Sequence, residues 1–253
     1  MATITRPQFK YYPILLTIVV LVQIMCFILV KRHITIFGIL TTASGLLFPL
    51  DIYLFEIIGY CYGYEYSRQA VLVNGISHLV FFLIIQLCNL LPYSDTMKPE
   101  YIIAYQTIFQ YSYWIIIGSF IGNSCGDYFS ATLVPRSKVF FNNKFTKTSI
   151  LIIHIISELI TISISYTIMN IHDHYTITQN AKLIGGTMIF KIIIAIIMLP
   201  LAKKLINIIQ EAEKVSVFDY NQDYKLFRFN PDFKKIKMVN FRGSYNVKKT
   251  FNN

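Results

Sequence analysis

Residues Phe37–Arg68 read FGILTTASGLLFPLDIYLFEIIGYCYGYEYSR, and the fold turns on how this stretch is interpreted. It places two carboxylates, Asp51 and Glu56, inside a segment that is otherwise lipid-soluble. An acidic side chain at the centre of a bilayer costs roughly 2.5 to 3.5 kcal/mol on insertion scales, so it persists where it faces a partner, a wet cavity or a ligand. The plainer alternative is that Asp51 ends a short re-entrant segment after Pro49. Gly45 and Pro49 are expected to kink or partly unwind the helix, and freed backbone groups of that kind line cavities in broken membrane helices.

Working outward, the same apolar character recurs along the chain. Of 253 residues, 55% are hydrophobic and only 14% charged, and apolar runs of about 20 residues repeat, the pattern of a polytopic helical membrane protein. The expected spans are Pro13–Val30, Phe37–Tyr62, Ala70–Leu91, Tyr105–Val134, Ser149–Met169 and Leu183–Ile209. Together they give an all-α bundle of six transmembrane helices over residues 1–210, followed by a basic cytoplasmic tail, 211–253. The net charge of +10 argues for a membrane surface rather than nucleic acid, because the Lys and Arg lie in loops and tail. Arg6, Lys10, Arg68, Arg136, Lys138, Lys144 and Lys147 outnumber the basic residues of the alternate loops, which puts both termini in the cytoplasm. The tail reads as a segment held near anionic lipid.

Cys26, Cys61, Cys88 and Cys125 show no Cys-x-x-Cys spacing and read as small core residues rather than disulfides or zinc ligands. No His-Glu-x-x-His motif, Walker-type phosphate loop or Gly-x-Ser-x-Gly elbow occurs, so nothing points to an enzyme and no cofactor is expected. His172, Asp173 and His174 could ligate a metal but read more simply as a solvated loop. With no ATPase motif, ATP-driven transport would need a separate ATPase module; self-association into a homo-oligomer stays open.

The polar residues inside the spans form a constellation. Glu56 and Tyr60 share a helix face at i,i+4, as do His154 and Glu158; Asn123, Asp127 and Ser130 lie along one face of the fourth span. Lys191 is the cation deep in a span. One Lys cannot neutralise all these carboxylates, so either some carry protons or the interior is wet. For any single residue a helix-packing hydrogen bond is an adequate explanation, and Asn123 and Ser130 fit it as well as they fit a site. A buried Lys191 should pair with Glu158 or Asp127.

These residues also carry a resemblance. Phe48-Pro49, the acid at Glu56, Tyr62-Gly63-Tyr64 and Arg68, then Gly126-Asp127, Ser149 followed by His154 and Glu158, and finally Lys191 with Pro200, resemble the queuosine precursor transporter family, an uptake family of the vitamin-uptake type. The likeness covers Tyr11 to Ile209. This chain departs from the family pattern at polar positions: Phe55-Glu56 stands where the family has Thr-Asp, and His154 and Glu158 stand where it has an amide and an Asp. What the resemblance implies is a six-helix bundle like the substrate-binding subunits of vitamin uptake systems. It also implies inner-membrane import of 7-cyano-7-deazaguanine or a related base for tRNA modification. A guanine-like edge offers a ring N–H and an amino group that a carboxylate accepts together, which assigns Glu56, Glu158 and Asp127 to the edge. Phe48, Tyr53 and Tyr60 are then the stacking faces, with His154 and Lys191 as polar companions. The rival readings are a substrate-capture subunit serving a separate ATPase, and an integral-membrane enzyme.

Overall fold

The computed structural model describes residues 9–110, 113–142, 144, 146–169, 176–219, 224 and 238–240. Helices dominate: α1 Tyr12–Leu29, α2 Ala43–Tyr62, α3 Tyr64–Asn89, a short α4 Pro99–Tyr105 continued by a π-helical turn Gln106–Gln110, α5 Tyr113–Phe140, α6 Thr146–Met169 and α7 Ile177–Glu213. Between α1 and α2 lies an antiparallel hairpin, β1 His33–Ile36 and β2 Ile39–Thr42, and a second small pair joins β3 Val215–Val217 to β4 Met238–Asn240. Helices α1, α2, α3, α6 and α7 are long and apolar enough to cross a membrane. Helix α5 is as long, at 28 residues, but carries a buried polar row of Ser119, Asn123, Asp127 and Ser130.

Helix α2 is the axis of the bundle. In its apolar window 83% of residues are buried, against 22% in α3, so the neighbours present apolar faces outward while α2 presents almost none. It contacts α1, α3, α5, α6 and α7. Thr42 starts it, its Oγ1 accepting the Gly45 N–H at 3.1 Å and meeting the Tyr166 hydroxyl at 2.9 Å. That hydroxyl satisfies one of the amides that every helix start leaves open. Helix α7 begins on a reciprocal capping box between Thr176 and Gln179.

Several expectations from sequence are corrected. Residues 37–42 are not the first turns of the second span. They form the turn and second strand of the hairpin, with positive φ at Phe37 (51°) and Gly38 (77°), the geometry of a tight two-residue turn. The helix runs without interruption past Gly45 and Pro49; the break falls at Gly63, whose φ of 84° ends α2 and opens α3. Glu65 and Arg68 are not in a loop but in the first turns of α3, each 1% exposed. Pro135, Arg136 and Lys138 likewise belong to α5 rather than to a basic loop. His172, Asp173 and His174 lie outside the described residues. No group of three His, Cys, Asp or Glu able to hold a metal occurs among the described residues.

The start of α1, the end of α7 and the α2–α3 break meet at one end of the bundle. Glu213 Oε1 accepts both the Tyr11 N–H at 2.8 Å and the Tyr62 hydroxyl at 2.9 Å. Beyond α7 the chain folds back over Gly63: Asp219 Oδ2 accepts the Tyr64 N–H at 2.7 Å and so caps α3. Lys138, 3% exposed, donates to the Tyr60 and Val217 carbonyls at 2.7 Å each. Burial pushes the Asp219 carboxyl above its ordinary range, and the Tyr64 N–H and the Lys138 ammonium pull it part of the way back.

The most extensive helix pairing is α5 on α6, and glycine permits it. Gly118, Gly122 and Gly126 recur every fourth residue on α5 and lie against Ser165, Thr161 and Ser157 of α6. A Cβ on Gly122 would sit 2.7 Å from the Thr161 carbonyl oxygen, and one on Gly126 2.9 Å from the Ser157 carbonyl oxygen. This is the small-residue seam by which membrane helices approach closely where lipid gives no hydrophobic drive. Gly122→Ala should therefore lower the melting temperature in detergent by the equivalent of about 1–3 kcal/mol, since backbone must move. Gly185→Ala, at a position with open space, should leave it unchanged or slightly raised. Equal melting of the two variants and the parent would show that the seam is not closely packed.

Candidate functional site

Four helices, α2 among them, deliver ionisable side chains to one buried layer. Asp51 and Glu56 come from α2, Asp127 from α5, His154 and Glu158 from α6, and Lys191 from α7; none is more than 4% exposed. The i,i+4 spacing on α6 turns His154 and Glu158 to the same face, towards α2 and α7. Lys191 Nζ makes an ion pair with Glu158 Oε2. His154 Nδ1 lies 3.2 Å from Glu56 Oε2, and its Nε2 is 3.9 Å from Glu158 Oε1. Tyr53 stacks on the His154 ring, centroids 4.2 Å apart at 27°, and its hydroxyl donates to the Ala195 carbonyl at 2.7 Å. The imidazole is thus fixed from three sides.

Among the described residues Asp51 has no hydrogen-bond partner at either oxygen, and Asp127 Oδ1 and Glu56 Oε1 have none either. Asn74 of α3 hydrogen-bonds Asp127. Buried polar atoms in such a state are expensive.

Above the layer, at the end away from Gly63, a narrow cavity of about 40 Å³ lies between α1, α2, α3, α5, α6 and α7. Phe48 and Lys191 form its floor, the ammonium 4.1 Å from the Phe48 ring centre. Its walls carry polar atoms without a partner: Gln23 Oε1, His78 Nε2, Thr161 Oγ1 and Ser165 Oγ. The lining is therefore amphipathic, with aromatic and aliphatic surface and scattered hydrogen-bonding groups, as in sites for small ring compounds.

Of the residues singled out from sequence, Phe48 and Lys191 line this cavity. Glu158 stands directly behind Lys191, and His154, Glu56 and Tyr53 continue the chain of contacts inward. Asp127 lies in the same layer on α5. Tyr60 does not join them: its hydroxyl bonds Thr146 at 3.0 Å, towards the Gly63 end. Sequence reasoning passed over Gln23 and His78. Each is 4% or less exposed; Gln23 stands out as a lone amide in the apolar α1, whereas His78 is one of several polar residues of α3 and carried no such signal.

A family model described as "putative vitamin uptake transporter" matches residues 42–204. The matched region contains every ionisable residue of the buried layer, while Gln23 on α1 falls outside it. No curated protein and no solved structure matches the chain.

The Lys191–Glu158 pair makes a direct prediction. Removing one partner strands the other charge in a dry interior, a loss of about 3–5 kcal/mol, whereas removing both restores neutrality. Lys191→Met should lower the melting temperature in detergent sharply, and Lys191→Met combined with Glu158→Leu should recover a large part of the loss. Normal melting of Lys191→Met alone would show that the ammonium reaches the interface instead.

Proposed function

The chain belongs to the vitamin uptake transporter family, and from that premise we propose that it is a six-span inner-membrane importer of a queuosine precursor. The cargo is 7-cyano-7-deazaguanine or a closely related 7-deazaguanine base, brought in for tRNA modification. Helix α5 supplies the sixth span. At 1.5 Å per residue its 28 residues reach about 42 Å, and its polar row faces the bundle rather than lipid. The bond from the Tyr11 N–H to Glu213 supports an even number of crossings, because it holds the start of α1 and the end of α7 at the same end. The basic loops and tail favour that end as the cytoplasmic one.

One observation carries the substrate reading: Lys191, at the cavity floor next to the Phe48 ring, is ion-paired to Glu158 directly behind it. A guanine-like edge presents a carbonyl oxygen, a ring N–H and an amino group in a row. An ammonium beside a carboxylate is its complement, Lys191 donating to the oxygen and Glu158 accepting from the two donors. The Phe48 face stacks on the ring system. Glu56, Asp127, His154 and Tyr53 support this pair from behind.

Purified protein with 7-cyano-7-deazaguanine at 100 times its dissociation constant should be stabilised by about 2.7 kcal/mol, read as a thermal shift. Glu158→Gln should weaken binding by about tenfold or more, since the amide presents a donor where an acceptor is needed. Asp95→Asn, on the loop before α4, should not change it. A shift with a carboxylated vitamin such as biotin and none with the deazaguanine would move the cargo to another class. Uptake that needs a co-expressed ATPase would make the chain a capture subunit.

Topology is tested separately. Reporter fusions after His172 and after Asn253 should report opposite sides of the membrane, and the same side from both would rule out six crossings.

A further inference from the structure

We infer that uptake is coupled to protons and that His154 is the residue that carries them, an inference that rests on the transporter reading above. The argument begins with charge balance in the buried layer. Lys191 is matched by Glu158. Among the described residues no Lys or Arg is ion-paired to Glu56, Asp51 or Asp127, although each is at most 2% exposed. The groups facing His154 and Glu56 are Tyr53 from α2, Glu158 from α6 and Lys191 from α7, while Cys26 from α1, Asp51 from α2 and Asp127 from α5 face Glu158, Lys191 and one another. Helix α3 adds the neutral Asn74 beside Asp127, and Arg68, whose guanidinium donates to the Tyr64 hydroxyl at 2.7 Å. Unpaired carboxylates at this depth are tolerated only if protons or a bound cation neutralise them.

Geometry then singles out His154. Its Nδ1 is engaged with Glu56, while its Nε2 has no partner and points at Glu158 Oε1 across 3.9 Å, too long for a hydrogen bond. In the neutral ring Nδ1–H donates to the Glu56 carboxylate and Nε2 holds a lone pair. A proton taken up at Nε2 forms one N–H bond and converts imidazole to imidazolium. The new Nε2–H is aimed at Glu158, so that carboxylate becomes shared between two cations and its hold on Lys191 loosens. The Lys191 ammonium, at the cavity floor, can then turn to the carbonyl oxygen of the cargo. On the return step the proton leaves Nε2, and Glu158 closes again on Lys191. Proton and cargo therefore favour each other's binding, and the coupling is reciprocal by linkage.

The test uses purified full-length protein in weakly buffered detergent with an indicator dye, titrated with 7-cyano-7-deazaguanine. The expected result is uptake of about one proton per bound ligand, and affinity rising towards acid by up to about tenfold per pH unit where the site titrates. His154→Gln, which cannot take the proton, should lose both the proton uptake and the pH-dependence of affinity. Wild-type binding that is pH-independent and moves no proton would overturn this inference and leave the importer reading standing. Absence of any binding would overturn the substrate reading and this inference with it. Proton uptake persisting in His154→Gln would remove His154 as the carrier. If that variant does not fold, the wild-type pH series decides by itself.

Discussion

The ion pair between Lys191 of α7 and Glu158 of α6 is the interaction on which the interior depends. A hydrocarbon surround offers no water to screen a charge, so an ammonium and a carboxylate placed there hold the two helices that bear them in one register. Around that fixed point the remaining acids have been set in graded company. Glu56 has an imidazole, Asp127 has an amide, and Asp51 has neither. The layer is organised by the Lys191 ammonium and left short of compensation elsewhere among the described residues, unlike a structural ion-pair network in which every charge is matched.

Helix α2 can sit at the centre because its neighbours pack in two different ways. On one side α5 and α6 close by glycine contact, backbone to backbone, and behave as one thick element. On the other, α7 meets α2 and the adjoining strand β2 through hydrogen bonds, from the Tyr53 hydroxyl to the Ala195 carbonyl and from Thr41 of β2 to Thr187 of α7. A close seam resists relative sliding, whereas a hydrogen-bonded contact can exchange partners.

Much of this was legible in the residues. The apolar runs marked the long helices, and the i,i+4 spacing of His154 and Glu158 put both on one face because helical periodicity alone requires it. The pairing of Lys191 followed from the cost of leaving it alone. Other features depended on what only the folded chain brings together. Glu65 and Arg68 read as loop residues because charge normally marks a membrane boundary; here the two helices abut at Gly63 with no loop between them. Tyr60 was placed on the Glu56 face correctly by spacing, yet one further turn along α2 already lies next to Thr146 and Lys138. Pro49 did not break α2, since packing on all sides holds the helix through it. The hairpin at 33–42 was hidden by its length, four residues a strand, within a run that looks like continuous span. The glycine repeat of α5 was visible in the sequence, but its meaning depended on knowing that α6 lies opposite.

The fold-back of residues 213–219 over Gly63 also fixes an order of events during biogenesis. Glu213, Val217 and Asp219 hold together Tyr11, Tyr62, Tyr64 and Lys138, groups that lie on four separate helical segments far earlier in the chain. A ribosome delivers those earlier segments to the membrane before the residues that tie them together exist. Until α7 is inserted, the α3 start lacks its carboxylate cap and the Lys138 ammonium lacks one of its two carbonyls. The bundle therefore passes through a stage in which its helices are in place but one mouth is still unclosed, and completion of that mouth reports that the last long helix has arrived.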